Sequence, residues 1–474
     1  MLSFCVRSAT ALLLASPALA TVDPSWGTHV EWTEEGPVAR EHASVMAFGD
    51  TVVVYAGSGY EPQLQPLADA WAYDVATRSW TELELAGDIP TPGGSKRVAQ
   101  EPGADHAYLF AGYGEGFAIN NDLHLAKLDG ETLRFERLEQ DNAPPARALH
   151  AFGFDPKERR FVAALGIDPQ TGFLADTWTG TFDETGAVRW TQVEAAPTEG
   201  RFGFAFGFDT ETGQLVTHSG QVPSQTEPLA TTQALWVLDT RAVPPVWTGF
   251  EAPPVGRRNP NFAFDDEHDR LVIWCGTADA RTNVPGLVTI ERTPAGSWVV
   301  REHDDDEAPP RRSSGFGFAH PSNDSVLLGF GNSAEGRYTD WVTIYFSKEI
   351  TTKSGLRYRV IEPGDGPVAE WGMSVTLHES TSLEDGTPIF STWDSGQPIG
   401  FPLGADRVID GLEELVTGMR VGEVREAVMP PAITKRQRYP ETFGPEDTLV
   451  FRVELVDIGP GPDEFVPTPK PWED

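Results

Sequence analysis

The chain has 474 residues, 39% hydrophobic and 23% charged, too long for one compact core and neither disordered nor membrane-embedded in composition. Its 36 Lys and Arg stand against 71 Asp and Glu, a net charge of -35, which argues against phosphate backbones and anionic lipid surfaces as partners. With 47 glycines, 39 prolines and 14 tryptophans, it predicts many short strands joined by turns rather than long helices.

Residues 1–20 read as a cleavable secretory signal peptide. Arg7 lies in a short leading segment, Ala9 to Ala15 form an apolar run, and Ser16-Pro17-Ala18-Leu19-Ala20 ends in the small-x-small pattern of a cleavage site. The expectation is a secreted or periplasmic protein with no membrane anchor, since this run is too short to span a bilayer. Cleavage would remove Cys5 and leave Cys275, so no internal disulfide is expected. Cys275 sits in Leu271-Val-Ile-Trp-Cys-Gly276, a buried-strand pattern, and is expected to be a core thiol.

Residues 22–350 repeat. Each unit opens near a basic residue, continues into an apolar strand and a second strand ending near Gly, and closes on an aromatic. Examples are Thr51-Val-Val-Val-Tyr-Ala-Gly57, Phe161-Val-Ala-Ala-Leu-Gly166 and the Phe-Gly-Phe segments at 152–154, 206–208 and 316–318. Closing aromatics fall at Trp32, Trp80, Phe135, Trp190, Trp247 and Trp298, roughly 48 to 57 residues apart. The sixth unit, ending at Phe346, lacks its closing strand, whereas residues 29–34 around Trp32 form a spare one. Pairing the two would close a ring and remove the free edges. The period resembles that of kelch repeats, with the paired glycines mostly reduced to one, and implies a six-bladed kelch-like β-propeller acting as a binding module whose ligand the sequence does not name.

No metal or cofactor motif emerges. The ten His include no His-x-His and no His-Glu-x-x-His, and there is no Cys pair. The acidic runs Asp265-Asp-Glu267 and Asp304-Asp-Asp-Glu307 lack calcium-loop order and read as solvated turns, a weak calcium site being the alternative.

The period stops at Phe346, and residues 351–460 form a second domain. Strands are expected at Gly372–Leu377, Ile399–Gly404, Val421–Pro430 and Thr448–Ile458, with one short amphipathic helix over Val408–Met419. This is an α+β pattern, an antiparallel sheet wrapped on one helix, so the whole chain is mainly β. A Pro-rich tail, 461–474, follows.

Five linked motifs run through this domain: Leu383-Glu-Asp-Gly386, Gly396-x-Pro-x-x-Phe-x-Leu-Gly404, Val408-Ile-x-Gly-Leu-Glu-Glu414, Met419-x-Val-Gly-Glu423 and Thr448-Leu-Val-Phe-x-Val-Glu-Leu455. Together they resemble the FKBP-type peptidyl-prolyl cis-trans isomerases. The resemblance implies isomerisation of X-Pro bonds in peptide or protein clients, without cofactor. Rotation about an X-Pro amide has a barrier of roughly 18–20 kcal/mol. The planar amide is charge-separated and favoured by water, so a dry apolar cup around the proline ring favours the twisted state.

By match to the family, the cup positions are Ile389, Phe401, Val408, Ile409, Leu412 and Phe451. Candidate substrate-binding positions are Glu379 and Phe390, where the family has Tyr and Asp, and Tyr439. The family's Tyr-x-Tyr-Gly loop falls on Ile433-Thr-Lys-Arg436, and Tyr439 is the candidate replacement hydroxyl. His378 matches a strand His of the family and reads as structural. Two functions stay open: an isomerase with a propeller module, and a noncatalytic peptide-binding or chaperone protein with a degenerate site.

Overall fold

The computed structural model describes residues 24–30, 36–60, 63–75, 77, 79–193, 199–227, 230–252, 256–278, 282–293, 296–303, 311–319, 325–333, 336–346, 350–384, 387–436, 438–440, 442–470 and 472, the first seven and Tyr345 as backbone only. The signal-peptide segment 1–20, Trp32 and the acidic run 304–307 lie outside them. The chain divides into two compact units, Trp26–Tyr345 and, from Phe346 onward, a second unit.

Small antiparallel sheets build the first unit. One runs Ala205–Asp209, Gln214–His218, Leu235–Asp239, Val246–Phe250, and the next Asn261–Asp265, Arg270–Trp274, Leu287–Arg292, Trp298–His303. The last is Phe316–Ala319, Ser325–Gly329, Trp341–Phe346, and its fourth strand is Pro24–Val30 from the front of the region. The completing strand therefore begins upstream of the expected 29–34 and overlaps it at residues 29–30, and residues 31–34 lie outside the described ones. The first two units instead share one eight-stranded sheet, because Ser79–Gly87 pairs in parallel with Thr132–Arg137. Arg97–Ala99, only three residues long and led by charged side chains, is the inner strand of the second unit that its sequence does not advertise.

Two sequence features explain the repeat. The residue before each retained glycine keeps a left-handed backbone although it is not glycine: Ala56, Ala111, Leu165, Ser219, Cys275 and Phe330 have φ between 54° and 65°. The glycine that follows then donates its amide to the next unit. Gly57 donates to Gly93, Gly112 to Arg147, Gly166 to Arg201, Gly220 to Arg257 and Gly276 to Arg312, and Gly331 returns to Arg40, all within 3.3 Å. In two of the Phe-Gly-Phe segments, glycine leaves room for a neighbouring strand's phenyl ring. A Cβ on Gly153 would lie 2.5 Å from Phe208, and one on Gly207 would lie 2.1 Å from Phe264.

Fully buried arginines recur beside these turns. Arg40, Arg147 and Arg312 clamp Asp69, Asp176 and Asp340 with two hydrogen bonds each, between 2.7 and 3.1 Å. Arg201 and Arg257 donate instead to the carbonyls of Ala234 (3.0 Å) and Gly286 (3.1 Å), residues that themselves carry no carboxylate. Cys275 is buried in a strand turn, as its sequence context predicts. The run 265–267 is not a plain solvated turn. Asp265 is buried against Arg270 (2.6 Å) and His268, and Asp266 accepts from Thr210.

In the second unit, one sheet runs Ile350–Thr351, Arg357–Glu362, Val424–Met429, Leu449–Gly459, Ser374–Leu383, Pro388–Ser391, with Ile399–Pro402 also on Ser374–Leu383. Alternation along Ser374–Leu383 buries Val375, Leu377, Glu379 and Thr381. The helix Asp410–Val416 covers this face with Leu412, Leu415 and Val416. It lies close because residue 411 is glycine: a Cβ there would sit 2.8 Å from Met429 and 3.0 Å from Ile433. A second, four-residue helix, Thr392–Ser395, was not foreseen in the sequence. Nor does the tail hang free. Thr468 donates its amide to Gly404 (3.0 Å), its carbonyl accepts from Trp371 (2.8 Å), and Trp472 packs edge-on against Trp371.

Candidate active site

Val408 and the extended residue Ile409 lead into the helix, and the Ile409 carbonyl accepts from the amide of Leu412 (3.0 Å). Both side chains are half-buried, because they stand where the helix begins and the sheet has not yet closed over them. Beneath them Leu412, Phe401 and Phe451 are buried, with 2, 6 and 3% exposure. Ile389 and Tyr439 are half-buried against the same cluster. All six cup positions and Tyr439 thus share one apolar cluster, with a buried floor and a half-open rim. Phe390 does not join it. It alternates with Ile389 along Pro388–Ser391 and is 49% exposed.

Glu379 is the unusual member. It occupies a core slot of its strand, opposite Val453, and Thr381 beside it faces Phe451. Its backbone is tied down, the amide donating to Thr392 Oγ1 (2.8 Å) and the carbonyl accepting from the same hydroxyl (3.1 Å). Among the described residues its Oε2 is buried without a hydrogen-bond partner. Burial raises its pKa to about 7, and the positive charge of Arg436 offsets this only in part. Arg436 comes from the segment that replaces the Tyr-x-Tyr-Gly loop. Its guanidinium lies 4.8 Å over the Phe443 ring, and burial lowers its pKa. Phe443 in turn packs edge-on against Tyr439 at 6.0 Å. Thr434 of the same loop is buried, and the Ile433 carbonyl accepts from the Gly411 amide (3.0 Å), so this loop braces the helix start.

The remaining polar groups are structural. His378 Nδ1 lies 3.0 Å from Thr392 Oγ1, and its ring stacks on Trp393. Buried Glu413 accepts from the Gly404 amide (3.1 Å), and Glu414 accepts from Ser354 (2.6 Å). Arg436 was missed as a site residue, and only its place in a loop that should carry hydroxyls pointed to it. Among the described residues, no group of three or more His, Cys, Asp or Glu is placed to hold a metal ion. The site offers an apolar cup, one uncharged or singly charged carboxyl and one cation. It holds no nucleophile–base pair, and rotation about an amide needs none.

Comparison with known proteins agrees with this geometry. The model of the FKBP-type peptidyl-prolyl cis-trans isomerase family matches residues 366–456, and a Kelch motif matches residues 39–84. The chain is similar to FK506-binding protein 2 of Yarrowia lipolytica, 43% identical over 91 residues, which cover 19% of this chain and 63% of that protein. It is similar to peptidyl-prolyl cis-trans isomerase Mip of Coxiella burnetii, 34% identical over 109 residues, covering 23% of this chain and 46% of that one. FK506-binding protein 1 of Dictyostelium discoideum is 37% identical over 103 residues, 22% of this chain and 96% of that protein. The chain thus spans under two thirds of the Yarrowia and Coxiella proteins and nearly all of the Dictyostelium one. Through its C-terminal unit, the chain belongs to the FKBP-type peptidyl-prolyl cis-trans isomerase family.

Proposed function

We propose that this protein is a secreted or periplasmic peptidyl-prolyl isomerase that turns X-Pro bonds in protein clients, with a six-bladed propeller as its binding module. The observation that carries the catalytic part is the single apolar cluster joining Ile389, Phe401, Val408, Ile409, Leu412 and Phe451, half-open at Val408 and Ile409. A proline ring seated there sheds water from its amide, which disfavours the planar, charge-separated ground state relative to the twisted one. Tyr439, Arg436, and Glu379 when protonated, are groups able to donate a hydrogen bond to the substrate carbonyl.

The ring of glycine amides that returns from Gly331 to Arg40 supports the six-bladed reading. The signal-peptide pattern of residues 1–20 supports export. One observation favours a noncatalytic reading: two of the family's polar positions hold Glu379 and the outward-facing Phe390.

A proline-isomerisation assay on the full chain separates the two. Isomerase activity should be measurable and should vanish in Val408→Asp, because a charge in the cup restores a polar surrounding. A folded wild-type protein that is inactive on several X-Pro peptides overturns the enzyme reading. Clear binding of those peptides without turnover would select the recognition protein.

A further inference from the structure

The inner strands of the repeat region enclose a cavity of about 430 Å³, within the size range of small-molecule sites. Its walls carry Phe152, Phe206, Phe262, Phe316 and Phe318, and Arg97 enters from the short strand Arg97–Ala99. The Arg97 guanidinium lies 5.3 Å from the ring centre of Phe206 and 5.8 Å from that of Phe262. Its Nε donates to the His150 carbonyl (3.1 Å). Among the described residues, Nη1 and Nη2 have no hydrogen-bond partner and no carboxylate pairs with them.

This sets Arg97 apart from Arg40, Arg147 and Arg312, each of which is clamped by an aspartate. Burial pulls its pKa down to about 10, Tyr113 opposes this only in part, and no carboxylate contributes. The neighbouring imidazoles do not compete as cations. Burial and the charge of Arg97 hold His42 down at about 3, and His150 also lies well below its ordinary value. Lys96, lowered to about 8, turns its Nζ to the Gly93 carbonyl. Among the described residues, none of the four acids lining the cavity pairs with Arg97: Asp265 is held by Arg270, Asp266 accepts from Thr210, Glu267 is exposed, and Glu101 lies beyond the end of the strand Arg97–Ala99. Contact with two phenyl faces gives on the order of 1 kcal/mol each, which does not replace the water an arginine loses.

We propose that this cavity binds a small carboxylate carrying an apolar body, with the two free nitrogens of Arg97 taking both carboxylate oxygens and the phenylalanines enclosing the remainder. The planar fork matches a carboxylate in two-point geometry, and the low-polarity walls strengthen that pair. The site is independent of the isomerase domain.

Isothermal titration calorimetry on the full chain tests it, with 3-phenylpropionate, acetate and 3-phenylpropionamide as probes. The acid should bind saturably at one site, and acetate and the amide should bind at least about tenfold more weakly. Arg97→Met should lower the affinity for the acid at least about tenfold and leave the unliganded melting temperature unchanged or higher. Equal binding of acid and amide, undiminished binding by Arg97→Met, or no saturable binding of the acid by the wild type up to about 10 mM overturns the proposal. Should Arg97→Met fail to fold, Arg97→Lys decides in its place. Weaker acid binding with unchanged melting supports the site, and unchanged binding overturns it.

Discussion

Glu379→Gln isolates the energetic consequence of the buried carboxyl in the candidate active site. Burial raises the Glu379 pKa from 4.5 to about 7 in the folded protein. Between those two pH values the folded state holds a proton that the unfolded chain has released. Stability from this group is therefore fully present below about pH 4.5 and is lost as pH rises towards 7, after which it levels off. At about 1.4 kcal/mol per pH unit, the whole loss is about 3 kcal/mol. Glutamine keeps the shape and never ionises. In urea unfolding of a 346–474 fragment, followed by tryptophan fluorescence, the variant should match the wild type near pH 4.5. At pH 8 it should be more stable by about 3 kcal/mol. Buried Glu413 is shifted in the same direction, but it contributes to both proteins and cancels in the difference. A difference that stays flat from pH 4.5 to 8, or a variant less stable at pH 8, refutes the placement of Glu379 in a dry slot.

Restoring the family residues with Glu379→Tyr and Phe390→Asp should raise isomerase activity by about tenfold or less per change, the worth of one hydrogen bond; unchanged kcat/KM would show that the apolar cup sets the rate alone. Asp176→Ala leaves the fully buried Arg147 without its carboxylate and should cost about 3–5 kcal/mol in denaturant unfolding, whereas a loss under about 1 kcal/mol would show the pair to be dispensable. Deleting residues 24–30 should expose the Trp341–Phe346 edge and cause aggregation visible by sedimentation, and a monomer with unchanged melting temperature would contradict the pairing.

Much of this architecture is legible in the residues, for identifiable reasons. Alternation in Leu449–Gly459 has one buried face, so pattern alone locates it, whereas Asp410–Val416 is buried from Gly411 through Val416 and its two buried glutamates do not show in an apolar spacing. The same alternation places Glu379 in line with Val375 and Leu377, which makes its burial readable too. Other features depend on distant partners. Nothing local in Arg97–Ala99 marks a strand, since besides its partner His106–Tyr113 it packs against the distant strands Ser44–Phe48 and Ala151–Asp155. The contrast between clamped Arg147 and open Arg97 depends on an aspartate 29 residues away in one case and on none in the other. Phe390 is 49% exposed although it pairs with buried Thr381, next to a shift in strand register that a count of apolar residues does not reveal.

The strand Pro24–Val30 pairs with Trp341–Phe346 across roughly 310 residues of intervening chain. During synthesis the first strand therefore emerges long before its partner, and the last sheet is incomplete until the two ends meet. Such a late, long-range closure is slow, because the loop entropy must be overcome before any bond forms. The same seat on Trp341–Phe346 is identical in every copy of the protein. At high concentration a neighbour's first strand competes for it, and the product is a strand-swapped pair in which each copy completes the other.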